Sequence, residues 1–80
     1  MDEFGFKITK HIGTLEKTGS GWTKELNLVS WNGKEPKYDI RDWSEDHDRM
    51  SRGITLTENQ MRVLVELLKT MEVWNNEEKL

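Results

Sequence analysis

The chain reads as α+β: four short antiparallel strands followed by one C-terminal helix. Three observations carry that reading. Residues 38–43, Tyr-Asp-Ile-Arg-Asp-Trp, alternate apolar and polar side chains as a half-buried strand does. Asn32-Gly33 pairs two residues that tolerate positive φ, the signature of a hairpin turn. Thr57-Glu58-Asn59-Gln60 spells a capping box and opens a stretch with apolar residues at helical spacing.

The first strand shows Phe4, Phe6, Ile8 and Ile12 on one parity and Lys7, Thr9 and His11 on the other. Gly13 marks an expected bulge that would return Leu15 to the inner side. Residues 17–21, Lys-Thr-Gly-Ser-Gly, form a turn by composition. The second strand covers 22–31, with Leu26 and Leu28 toward the core and Asn27, Val29 and Trp31 on the opposite face. Trp22 and Lys24 share the core parity, so a twist or bulge is expected near Glu25.

Pro36 cannot donate to a ladder, so the third strand starts after it. There Tyr38 and Ile40 face the core, and Asp39, Arg41 and Trp43 face away. Residues 44–52 are polar and aperiodic, a surface loop. A short fourth strand covers 53–56. The helix should run from Glu58 to about Trp74, with Met61, Leu64, Val65, Leu68 and Met71 in one stripe and Val63, Leu67 and Trp74 widening it. Residues 1–74 then form one domain and 75–80 a frayed tail.

Eighty residues, 34% of them hydrophobic, make one small core. Cores of this size rarely yield more than ~3–5 kcal/mol. With no cysteine, disulfides and thiolate zinc sites are excluded. The helix carries more apolar surface than one side of a small sheet needs, and a second copy of the chain is the simplest outlet. No apolar run approaches the ~20 residues of a membrane span, and the acidic start is unlike a signal peptide. A soluble, cytoplasmic protein is expected. The net charge of −3 argues mildly against a nucleic-acid partner. However, the surplus acid lies beyond Trp43, in the loop and the helix, while acids and bases balance before it.

Catalytic motifs are missing: no nucleophile elbow, no phosphate-cradling glycine loop, no Cys/His pair. Asp46-His47-Asp48 looks metal-like but lacks the glycine and glutamate of a calcium loop. His11 and His47 read as ordinary surface histidines. The aromatic and basic residues say more. Trp31, Arg41 and Trp43 share the non-core face, Lys7 and Lys37 have compatible parity, and Lys34 lies in the adjoining loop. Flat rings for bases and cations for phosphates are what unpaired nucleic acid needs. The competing reading packs the tryptophans across strands or into a dimer interface and pairs the cations with Asp39 and Asp42.

Three runs carry a resemblance: Val-Ser-Trp-Asn-Gly-Lys at 29–34, Tyr-Asp-Ile-Arg-Asp-Trp at 38–43, and Arg-Gly-Ile-Thr-Leu-Thr at 52–57, with a helix after them. Together they resemble the Positive Cofactor Four family of transcriptional coactivators, most closely its short bacterial members of the YdbC type, over about residues 22–68. The resemblance implies a strongly curved four-stranded sheet, a two-fold homodimer with the helices at its interface, and binding of single-stranded DNA with little sequence preference. Carried over, Trp31 matches the stacking aromatic, and Lys24, Lys34, Arg41 and Arg52 match basic positions. The better-known members carry two successive aromatics where Trp43 is followed by Ser44.

The expectation is therefore a scaffold without catalysis. Trp31 and Trp43 would stack bases, and Lys7, Lys24, Lys34, Lys37, Arg41 and Arg52 would hold phosphates. The partner is single-stranded DNA, with RNA as a variant, in transcription, replication or repair at the nucleoid. No cofactor and no small-molecule substrate are expected. The alternatives are a protein-interaction dimerisation module without nucleic-acid binding and a small enzyme using Asp46, His47 and Asp48 with a divalent ion.

Overall fold

The computed structural model describes residues 5–71. Phe4, Trp74 and the tail at 75–80 lie outside the described residues. Four strands, β1 (Phe6–Lys17), β2 (Thr23–Trp31), β3 (Lys37–Trp43) and β4 (Ile54–Leu56), form one antiparallel sheet in sequential order, followed by α1 (Glu58–Lys69).

Local chemistry accounts for the joints. At the first turn, Thr18 donates twice to the Trp22 carbonyl, from its amide at 2.7 Å and its hydroxyl at 2.8 Å. At the second, Asn32 and Gly33 take φ of 53° and 78°, and the Lys34 amide donates to the Trp31 carbonyl at 3.0 Å. Two consecutive positive φ values suit the twist of the flanking strands. The helix begins with the expected box: the Gln60 amide donates to the Thr57 hydroxyl and the Thr57 amide to the Gln60 side chain. Gly53 is required by close approach, because a Cβ there would collide with the Arg41 Cβ and the Ile40 carbonyl.

The β2–β3 register runs unbroken from Thr23↔Trp43 to Val29↔Lys37, so the irregularity expected near Glu25 does not occur in this ladder. It falls in β1, which shifts register against β2 between Ile8 and Lys10, between His11 and Gly13, and between Thr14 and Glu16. The shift expected at Gly13 is present. Leu15 nevertheless points outward, 57% exposed, because the next shift displaces it again.

Those extra residues twist the sheet, as each bulge adds local right-handed twist. The result can be checked by ring contacts. Phe6 pairs with Trp31 at one end of β2, and Trp43 pairs with Thr23 at the other, ~26 Å away along an extended strand. Yet the Phe6 ring lies 6.3 Å from that of Trp31 and 5.2 Å from that of Trp43. A flat sheet cannot bring those rings together. The sheet curls, and Phe6, Val29, Trp31 and Trp43 line its concave side.

This inverts the expected core of the single chain. The alternation is right, but the side assigned away from the core is the more buried one. Val29 and Trp43 are 0% exposed, and Asn27 and Asp39 are buried with them. Leu26, Leu28, Tyr38 and Ile40, expected in the core, are half-buried on the convex side. The helix ends at Lys69 with Thr70 as its C-cap, short of the expected end near residue 74. It lies beside Tyr38 and buries none of its own residues; Met61 is half-buried, Val63, Leu64, Val65, Leu67 and Leu68 are exposed, and so is Met71 just after it.

Candidate nucleic-acid interface

Trp31 is the last residue of β2, half-buried at the rim of the concave face. Its indole is set from two sides. Phe6 tilts against it, and the Arg41 guanidinium carbon stands 4.7 Å from its ring centroid. A guanidinium over an indole face is attracted by the ring quadrupole. Next to Trp31, the turn presents the exposed Lys34, and the Ser30 hydroxyl donates to the Lys34 carbonyl at 2.6 Å. Asn32 ties this turn to β1: its side-chain oxygen accepts from the Gly5 amide at 2.7 Å, and its own amide donates to the Gly5 carbonyl.

Arg41 is not a free phosphate ligand. Its side chain is 12% exposed, and its Nε and Nη2 donate to the two oxygens of Asp39 at 2.7 Å each. Nη1 donates to the Ser51 carbonyl, and the Thr55 hydroxyl completes the Asp39 shell. A forked pair of this kind, with the carboxylate fully buried, fixes geometry rather than meeting solvent.

Trp43, expected to stack bases, is 0% exposed and lies between Phe6 and the stacked ring of His47. A base cannot reach it in this arrangement. The curl of the sheet, which parity does not reveal, is the reason.

The remaining cations divide by face. Lys37, opposite Val29, shares the concave side with Trp31 and is exposed. Arg52, just before Gly53 and hence beside Arg41, is exposed. Lys7 pairs with Ser30 and Lys24 with Asp42, which puts both on the convex side, away from Trp31. Lys24 is bound to Asp42 at 3.0 Å. The competing expectation, pairing of cations with Asp39 and Asp42, therefore holds for Arg41 and Lys24.

Sequence reasoning missed a polar knot behind the aromatics. Glu25 is buried and accepts from the Thr23 hydroxyl, from Asn27 Nδ2 at 3.1 Å and from His47 Nε2 at 2.9 Å, with His11 Nδ1 3.5 Å away. His11 Nδ1 also meets Asn27 Oδ1 at 2.7 Å. Burial by itself would raise the Glu25 carboxyl. The hydrogen bonds of Thr23, Asn27 and His47, with the His47 charge, outweigh it and hold the group below its ordinary value. His47, expected to be a solvated loop residue, is half-buried at φ 59° against Trp43. The signal lay in Glu25 and Asn27, polar residues on the face of Val29.

The loop at 44–52 is ordered by its own side chains. The Ser44 amide donates to the Arg49 carbonyl, and Asp46 Oδ1 accepts from the Ser44 hydroxyl and the Asp48 amide. These hydrogen bonds hold the Asp46 carboxyl below its usual range. Asp46 thus serves the turn and His47 serves Glu25. Among the described residues no group of three or more histidines and carboxylates is arranged to hold a metal ion. No helix among the described residues is long and apolar enough to cross a membrane.

Comparison with known proteins agrees with this architecture. A family model described as Transcriptional Coactivator p15 (PC4) matches residues 18–67, from the first turn through most of α1. A protein of Treponema pallidum (strain Nichols), described as an uncharacterized protein, is 44% identical over 72 residues, covering 90% of this chain and 85% of its own length. The matched family is nucleic-acid-binding and non-enzymatic, and binds single-stranded DNA in a coactivator-like role. With the four-stranded antiparallel sheet and the helix that follows it, the chain belongs to the Transcriptional Coactivator p15 (PC4) family.

Proposed function

We propose that this protein binds single-stranded DNA with little sequence preference, as a scaffold without catalysis. The observation that carries the reading is Trp31: a half-buried indole at the sheet rim, held by Arg41 at 4.7 Å, beside a turn that carries Lys34. Bases stack on Trp31, and Lys34, Lys37 and Arg52 hold the phosphates. Stacking is sequence-tolerant because every base has a π-face. Arg41 positions the indole. Lys7 and Lys24 lie off this path on the convex side. RNA is bound on the same surface where its backbone fits, and the setting is exposed strands in transcription, replication or repair at the bacterial nucleoid.

The functional unit is a two-fold homodimer. The exposed apolar stripe of α1, with Leu64, Val65 and Leu68, the exposed Met71 just after it, and the half-buried Leu26, Leu28 and Ile40 supply apolar surface of the kind that marks an interface. Sedimentation at micromolar concentration tests this: a monomer rejects it.

The nucleic-acid reading is tested by titrating oligo-dT against the protein and against Trp31→Ala, with circular dichroism as the folding control. A folded variant that binds as tightly as the parent removes Trp31 from the site. A protein that ignores oligo-dT even at low salt favours the protein-interaction alternative, for which the exposed helix stripe is the supporting observation.

A further inference from the structure

A second aromatic–cation pair stands on the far side of the loop at 44–49. The Arg49 guanidinium carbon lies 5.9 Å from the ring centroid of Trp22, which is half-buried just before β2. Between this pair and the first turn opens a cleft of about 470 Å³, lined by Ser20, Trp22, Ser44, Glu45, Asp46 and Arg49. Its volume exceeds the ~300 Å³ above which pockets hold small ligands.

Its charge excludes a phosphate. Two carboxylates, Glu45 and Asp46, face one guanidinium. Asp46 Oδ1 is spent on the Ser44 hydroxyl and the Asp48 amide. Glu45 is exposed, and its carboxylate has no hydrogen-bond or ionic partner among the described residues. Its Oε1 stands 3.7 Å from where a Cβ on Gly21 would lie. Gly21, at φ 92°, keeps that wall free of a side chain. A planar group with donors on its edge is what such a cleft accommodates: the ring against Trp22 and Arg49, the donors toward Glu45.

Among the bases, guanine matches best. Its N1–H and N2–H lie side by side and can meet both oxygens of one carboxylate. Thymine offers a single N–H flanked by two carbonyl oxygens that repel the carboxylate, and adenine and cytosine each offer one amino group. We infer that the Trp22–Arg49 cleft, at the opposite end of β2 from Trp31, is a base-reading subsite for guanine on a single strand long enough to reach both ends, with Glu45 accepting from its N1–H and N2–H. The inference rests on the single-strand reading above. It adds a sequence preference to a surface that is otherwise indifferent to sequence.

The test is competition binding by fluorescence anisotropy, using the full chain, an end-labelled oligo-dT, the same strand with one central guanine, and the same strand with hypoxanthine in its place. The guanine strand should bind about tenfold more tightly than oligo-dT, the gain expected of one good two-bond contact. Hypoxanthine, which lacks the N2 amine, should lose most of that gain. Glu45→Gln should bring the guanine and thymine strands to the same affinity, and Trp22→Ala, checked for folding, should do likewise. Equal affinity of the two strands for the unsubstituted protein overturns the subsite and leaves the general single-strand reading intact. A preference that survives Glu45→Gln also overturns it. Binding of neither strand overturns both readings together.

Discussion

The two oxygens of Asp39 accept hydrogen bonds from Nε and Nη2 of Arg41 at 2.7 Å each, at a carboxylate fully withdrawn from solvent. The same guanidinium lies over Trp31. One buried ion pair thus determines how a half-buried aromatic at the sheet rim is presented. Asp39→Asn leaves Arg41 charged, largely buried and without its anion. Chemical denaturation should show a loss of about 3–5 kcal/mol, the usual cost of breaking such a pair from one side. Arg41→Lys keeps the charge but loses the fork, and should weaken oligo-dT binding while retaining the fold.

Trp31→Ala should weaken oligo-dT binding by ~1–3 kcal/mol, the contribution of one stacked base. Trp31→Phe should recover part of it, because a smaller flat ring remains. Isothermal titration with each variant measures both, and Trp43→Phe is the contrast. Trp43 is completely buried, so its substitution should appear in thermal stability rather than in a lost stacking contact.

Salt should oppose binding. With Lys34, Lys37 and Arg52 each neutralising one phosphate, the logarithm of the association constant should fall against the logarithm of salt with a slope of about −2, taking ~0.7 per phosphate. Lys34→Ala should reduce the slope by ~0.7 and lower affinity alike for all sequences. An unchanged slope would remove Lys34 from the backbone path.

Glu25 sets the acid limb of stability. Its carboxyl is held below the ordinary value of 4.5, so the folded state binds its proton less readily than the unfolded chain does. The stabilisation is present above that value and is lost as pH falls through 4.5 toward the lower folded value. Melting temperatures of the parent and of Glu25→Gln should therefore differ most at neutral pH and converge on acidification. A gap that stays constant from pH 7 to below pH 4 would show that Glu25 does not act through its charge.

Gly53→Ala inserts a methyl group against the Arg41 Cβ and the Ile40 carbonyl. Backbone and Cβ atoms have little room to yield, so a loss of about 1–3 kcal/mol is expected, read from urea midpoints.

Much of this protein was legible in residue order. The capping box at Thr57, the Asn32-Gly33 turn, the alternation in β2 and β3 and the register shift at Gly13 are local: each depends on a few neighbouring residues whose backbone preferences act wherever the chain goes. Trp31 and Lys34 are readable for the same reason, since they flank that turn. Alternation also sorted β2 and β3 into two faces correctly, but it put Lys7 rather than Phe6 on the face of Trp31. It could not tell which face is concave. That depends on β1, where three successive shifts against β2 curl the sheet until Phe6 touches both Trp31 and Trp43. Curvature closes one side over Val29 and Trp43 and opens the other, so the apparent back became the core, Trp43 left the surface, and Arg41 turned inward to Asp39. A face is a property of one strand, but its burial is a property of how all the strands bend together.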